Sequence, residues 1–114
     1  MLLVVADAQW VINDVRASLG VGDWVIEVVP DPYQAATVVS EMQPQAVVID
    51  MQIGEMGGMA VIRDIKARLE GGDRPHLVLL LDRTADSFLA KRAGADAWVV
   101  KPFGAHDFRK ALSG

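Results

Sequence analysis

The 114-residue chain has no cysteine. That excludes disulfides, a thiol nucleophile and a thiolate metal site. It has no surplus of positive charge either: 11 Lys and Arg stand against 15 Asp and Glu, for a formal net charge of −4. With no basic stripe to displace counterions, direct nucleic-acid binding by this domain is not expected. Long hydrophobic runs are also missing. The longest, Leu77 to Leu81, is far too short to cross a bilayer. Met1 leads straight into Leu2-Leu3-Val4-Val5 with no basic segment before it, so no signal peptide is expected. The expectation is a cytoplasmic protein without membrane association. No repeat, linker or low-complexity segment divides the chain, and residues 1–114 are expected to form one domain.

What is present is organised around Ala46-Val47-Val48-Ile49-Asp50, a short apolar run ending on a carboxylate. Its β-branched residues favour a strand, and its lack of alternation suits a strand buried on both faces. The 52% hydrophobic content fits a sheet covered on both sides. Further strands are expected at Leu2–Ala6, Trp24–Val29, Leu77–Leu81 and Ala97–Val100. Charged Glu27 marks the second as an edge strand.

Helices are expected between the strands. One runs from about Ala8 to Leu19, with Val11, Val15 and Leu19 inward, and ends at Gly20-Val21-Gly22. A second is opened by Asp31-Pro32 as cap and first residue, with Ala35, Val38, Val39 and Met42 inward. A third spans roughly Gly58–Leu69, with Ile62, Ile65 and Leu69 inward, followed by a turn at residues 71–75. A fourth, short one runs from Thr84 to Ala93. A last covers residues 105–112, with Phe108, Ala111 and Leu112 inward. Strand–helix alternation at about 20 residues per unit implies an α/β fold with a parallel sheet.

Ligands and chemistry collect at the carboxyl ends of such strands. The first strand brings Asp7 there, the third Asp50, the fourth Asp82 and the fifth Lys101. One carboxylate can be a nucleophile towards phosphorus, another can ligate a hard cation such as Mg²⁺, and the ammonium can balance a phosphoryl group.

These residues resemble the receiver domain of two-component response regulators over essentially the whole chain. The resemblance rests on Ala46–Asp50 followed by Met56-Gly57-Gly58, and on Gly94-Ala95-Asp96-Ala97-Trp98-Val99-Val100-Lys101-Pro102-Phe103. It implies a flavodoxin-like three-layer sandwich, a five-stranded parallel sheet of order 2-1-3-4-5 with five helices. It also implies a signalling module rather than an enzyme. Asp50 would accept a phosphoryl group from a histidine kinase or phosphotransfer protein. Asp7, Asp50 and the Gln52 backbone carbonyl would ligate Mg²⁺, and Lys101 would contact the phosphoryl oxygens before a cis Lys101-Pro102 bond. Trp98 would be the switch aromatic, and a homodimer would form through the fourth helix, fifth strand and fifth helix.

Three departures mark an atypical member. Ala6 replaces the first of two adjacent acids, which is expected to weaken Mg²⁺ binding. Asp82 replaces the usual Thr or Ser; it is read as an ion-pair partner of Lys101 or as a cap of the fourth helix. The segment from Asp82 to Gly94 is about three residues short, and Gly54 and Gly57 replace a loop proline and acid. The alternative is therefore a phosphorylation-independent pseudo-receiver that acts as an interaction or dimerisation module. Enzyme readings lack their motifs: Asp50-Met51-Gln52 has no second acid for a haloacid-dehalogenase-type phosphatase, and Ala6-Asp7-Ala8-Gln9 is neither a dinucleotide glycine motif nor a flavodoxin phosphate loop. Asp7 could equally cap the first helix. Trp10 and Trp24 are read as packing or interface residues, and His76 and His106 as surface residues.

Overall fold

A computed structural model describes residues 1–20, 22, 24–69 and 72–113. The elements are β1 (Leu2–Val5), α1 (Gln9–Leu19), β2 (Ile26–Val29), α2 (Ala35–Met42), β3 (Ala46–Asp50), α3 (Gly58–Arg68), β4 (His76–Leu81), α4 (Ser87–Ala93), β5 (Ala97–Val100) and α5 (Ala105–Ser113). The strands form one parallel sheet in the order β2-β1-β3-β4-β5. The parallel sheet is that expected from the strand–helix alternation, and its order is the flavodoxin-like one that the resemblance implies.

Period-two alternation along each strand divides the core into two layers. Leu3, Val5, Val47, Ile49, Leu77 and Leu79 pack with residues of α2, α3 and α4, among them Val39, Ile62, Ile65 and Ala90. Leu2, Val4, Val48, Val78 and Leu80 pack with α1 and α5 through Val11, Val15, Phe108 and Leu112. All five residues of β3 are buried, which is why that strand shows no alternation of its own. Glu27 lies on an edge strand, as its charge predicts.

The differences from the expected elements are local. Asp31 does act as a cap, its Oδ1 accepting from the Tyr33 N–H at 3.0 Å, but it caps a 3₁₀ turn at Pro32–Gln34 and the α-helix begins only at Ala35. A similar 3₁₀ turn at Thr84–Asp86 precedes α4. Such tighter turns are common at helix starts. Met42 was expected inward and is exposed: it is the last residue of α2, the next residue, Gln43, turns into the left-handed region at φ 50°, and Ala36 completes the buried stripe instead. Trp24 lies outside β2 but packs partly buried against the α1–α5 layer. Within the expected turns, Val21 and Gly71 fall outside the described residues. His76 is not a surface loop residue. It opens β4, and its Nε2 lies 2.7 Å from the carbonyl oxygen of Ala111 in α5.

The amino-terminal edge of the sheet is fastened by Asp96, just before β5. Its carboxylate accepts from Arg74 Nη1 at 2.7 Å, Arg74 Nη2 at 2.9 Å and the Leu77 N–H at 2.8 Å. Burial pushes this carboxyl up, but the Arg74 guanidinium, the Leu77 N–H and nearby His76 outweigh it and hold it below the usual carboxylate range. A depressed carboxylate stabilises the fold fully above its unfolded-state pKa and loses that contribution as pH falls through the folded value. Asp96→Ala is therefore expected to lower stability at neutral pH by about 1–3 kcal/mol. The gap between wild type and variant should narrow on acidification from about pH 5 to about pH 2. Urea unfolding across that range checks this; a gap independent of pH would mean that the ion pair is not its source.

Candidate functional site

β3 delivers Asp50 to the carboxyl edge of the sheet, where the residue is only 1% exposed. The chain then turns sharply. The Met51 N–H donates to the Leu80 carbonyl at 3.0 Å, continuing the pairing with β4 for one residue, and the Ile53 N–H donates back to the Asp50 carbonyl at 3.1 Å. Gly54 and Gly57 take φ values of +50° and +80°, which suits glycine in a loop reversing towards α3.

From β5, the Lys101 N–H donates to the Leu81 carbonyl at 2.7 Å, and the Lys101-Pro102 bond is cis, as expected. The Lys101 ammonium lies between two carboxylates, 2.7 Å from Asp50 Oδ1 and 2.9 Å from Asp82 Oδ1. Asp82 Oδ2 accepts from the Gln52 side-chain Nε2 at 2.6 Å, and the Gln52 backbone N–H donates to Asp50 Oδ1 at 3.1 Å. No buried side-chain nitrogen or oxygen lacks a partner among the described residues. The second oxygen of Asp50 takes no hydrogen bond among those residues, so it is not fully sealed from solvent.

The charges stabilise one another. Burial would lower the Lys101 pKa, but its hydrogen bonds to Asp50 and Asp82 outweigh that and hold it above the ordinary lysine value. Burial likewise pushes the Asp82 carboxyl up, and the bonds from Lys101 and Gln52 bring it below the usual range. Two carboxylates against one ammonium leave this cluster with one net negative charge.

Of the residues singled out in the sequence, Asp50, Asp82, Lys101 and Gln52 meet at one point. Asp7 stands slightly apart and exposed, its Oδ2 accepting from the Gly54 N–H at 3.1 Å. It does not cap α1, whose cap position is Ala8, without a side-chain bond. Asp82 does not cap α4 or the turn before it. Ala6 is fully buried in the α1–α5 layer. Among the described residues, no three acidic or histidine side chains gather in a way that could hold a metal ion. The donor set of Asp7, Asp50 and the Gln52 carbonyl supplies two carboxylates and a carbonyl, which fits Mg²⁺, an ion that keeps several waters. Trp98 is half-buried in β5, paired in register with Leu79, and packs on the α2–α3–α4 side of the sheet.

One contributor was missed. The Lys101 ammonium lies 5.5 Å from the ring centroid of Trp10, in the first turn of α1. The sequence signal was available: Trp10 follows Asp7 by three residues, and the first turn of a helix shares the edge where its preceding strand ends.

A sequence model described as the response regulator receiver domain matches residues 2–113. Response regulator MprA of Mycobacterium sp. (strain KMS) is 32% identical over 103 residues, covering 90% of this chain and 44% of that protein. The chain thus spans less than half the length of such relatives. The BeF3-activated N-terminal receiver domain of RstA from Klebsiella pneumoniae superposes with a TM-score of 0.81 at 26% identity, covering 98% of this chain and 94% of that one. The receiver domain of sensor histidine kinase PA1611 from Pseudomonas aeruginosa PAO1, with a magnesium ion coordinated in its active-site cleft, gives 0.84 at 23% identity, covering 98% and 93%.

Proposed function

The chain belongs to the response regulator receiver domain family, and from that premise we propose that Asp50 accepts a phosphoryl group from a phosphohistidine on a kinase or phosphotransfer partner. The observation that carries this reading is the 2.7 Å contact between the Lys101 ammonium and Asp50 Oδ1, made by residues 51 positions apart at the carboxyl edge of the sheet. An Asp50 oxygen attacks phosphorus; the P–O bond forms as the P–N bond breaks, and the imidazole leaves with its electron pair and takes a proton. Lys101 stays at hand to balance the negative oxygens of the transferred group. Asp7, Asp50 and the Gln52 carbonyl would hold Mg²⁺, which supplies further charge neutralisation when bound. Trp98 would report the change to the surface of β5. Phe88 and Leu89 stand exposed on α4 at 68% and 42%, which supports self-association across α4, β5 and α5. Among the described residues no helix is long and apolar enough to cross a membrane.

A second reading has its own support. Asp50 is almost sealed, and Asp82 already occupies Lys101, as in a pseudo-receiver that works by fixed contacts. A backbone amide NMR titration with Mg²⁺ and then beryllium fluoride, a phosphoryl mimic, separates the two. Phosphoryl acceptance predicts shifts centred on Asp7, Asp50 and Lys101, extending to Trp98 and lost in Asp50→Asn. If those amides stay still at millimolar concentrations, the phosphoacceptor role is wrong and the pseudo-receiver reading stands.

A further inference from the structure

The contacts around Asp50 close into a ring. Asp50 Oδ1 accepts from Lys101, Lys101 also forms an ion pair with Asp82 Oδ1 at 2.9 Å, Gln52 Nε2 donates to Asp82 Oδ2, and the Gln52 backbone N–H returns to Asp50 Oδ1. The geometry points to Gln52 as a positioning residue that fastens Asp82 onto Lys101 and thereby holds the phosphoacceptor site shut. This inference rests on the phosphoryl-acceptance reading and names how that acceptance is restrained.

Shared charge is the first reason. The Lys101 ammonium already faces two carboxylates, Asp50 Oδ1 at 2.7 Å and Asp82 Oδ1 at 2.9 Å, with the Trp10 ring 5.5 Å from the same nitrogen. An incoming phosphoryl oxygen therefore shares this one ammonium with Asp82 until that carboxylate leaves. Charge is the second reason. A carboxylate facing the new dianionic group repels it, so Asp82 must swing away before the group can settle. Its side chain is 34% exposed, against 2% for Asp50, so solvent can receive Asp82 but not Asp50.

Gln52 is the neutral member of the ring. It holds Asp82 at 2.6 Å, the shortest bond in the cycle, and hydrogen bonds in a closed network reinforce one another. It is exposed and lies outside the core, so truncating it leaves the packing intact. Gln52→Ala keeps every charge and the backbone carbonyl, and removes only the fastening.

The test compares wild type, Gln52→Ala and Asp82→Thr. Each is measured for beryllium fluoride affinity in saturating Mg²⁺ and for phosphorylation by phosphoramidate. The Lys101 side-chain ammonium NMR signal is also recorded without metal or phosphoryl mimic, because a purely structural role for Gln52 would leave that signal unchanged. A fastened Asp82 predicts a weaker, faster-exchanging ammonium signal in Gln52→Ala. It also predicts beryllium fluoride affinity and initial phosphorylation rate each raised about tenfold, the shift expected when one charged hydrogen bond is lost from the closed state alone. Asp82→Thr should gain at least as much. If wild type and Gln52→Ala respond equally while both bind the mimic, the fastening is wrong and phosphoryl acceptance survives. If none of the three binds the mimic, both fall together.

Discussion

Lys101→Met is expected to destabilise the domain by about 3–5 kcal/mol, the cost of stranding a buried charge. The Lys101 and Asp50 side chains are 5% and 2% exposed, so neither can exchange its partner for bulk water. Without the ammonium, Asp50 keeps only the Gln52 N–H, and the unscreened carboxylate of Asp82 stands close by. Methionine nearly matches the volume of lysine, so loss of packing contributes little. The distinguishing measurement is a double-mutant cycle by urea unfolding at neutral pH. In an Asp50→Asn background the stranded charge is gone, and the same Lys101→Met change should cost markedly less, with a coupling of about 1–3 kcal/mol. Equal costs in the two backgrounds would mean that the Lys101–Asp50 contact contributes no net stability. The single variant should also lose its response to beryllium fluoride, since no other cation of the ring remains.

The same cluster shows what a sequence can and cannot convey. β3 was legible to the residue, because a strand buried on both faces must be apolar throughout and must stop where a charge appears. Asp50, Asp82 and Lys101 were legible as neighbours, because the parallel topology brings the carboxyl ends of β3, β4 and β5 to one edge. Which of them would pair was not, since a carboxylate after β4 can cap a helix or meet a cation with equal ease. The choice was made by Lys101, among the described residues the one ammonium within reach of both Asp50 and Asp82. Trp10 was missed because an aromatic in a first helical turn looks like packing until the neighbouring strand end is located. The exposure of Met42 was hidden for a different reason: the helical period identifies a face but not where the core beneath it ends. His76 was misjudged by a single residue of strand boundary, enough to carry it from solvent to the last turn of α5.

Gly54 and Gly57 in the loop and Gly58 at the start of α3 differ in what a side chain would meet. At Gly57 a Cβ has room, its nearest neighbour being the Met51 carbonyl oxygen at 3.8 Å, so the cost of alanine there is backbone strain at φ +80°. At Gly54 the obstacle is the ring of Pro32 at 3.1 Å. Gly58 has an ordinary helical start and no room: a Cβ would lie 2.7 Å from the Asp50 carbonyl oxygen, 2.9 Å from Met51 Cα and 2.9 Å from Leu79 Cδ1. Two of these are backbone atoms, and the third belongs to a fully buried residue of β4. The two backbone atoms cannot move without moving the end of β3. Alanine is favoured over glycine in helix interiors by up to about 1 kcal/mol, but that gain is smaller at a first helical position, and overpacking a rigid contact costs about 1–3 kcal/mol. Gly58→Ala is therefore expected to be destabilising, by about 2 kcal/mol on that balance. Because the displaced oxygen is that of Asp50 itself, the damage should reach the ring: the amides of Asp50, Gln52 and Lys101 should shift in NMR spectra without any ligand. Gly57→Ala serves as the comparison, since its strain is confined to the loop. Equal stability of Gly58→Ala and wild type would show that the end of β3 yields, and that Asp50 is held less rigidly than its contacts imply.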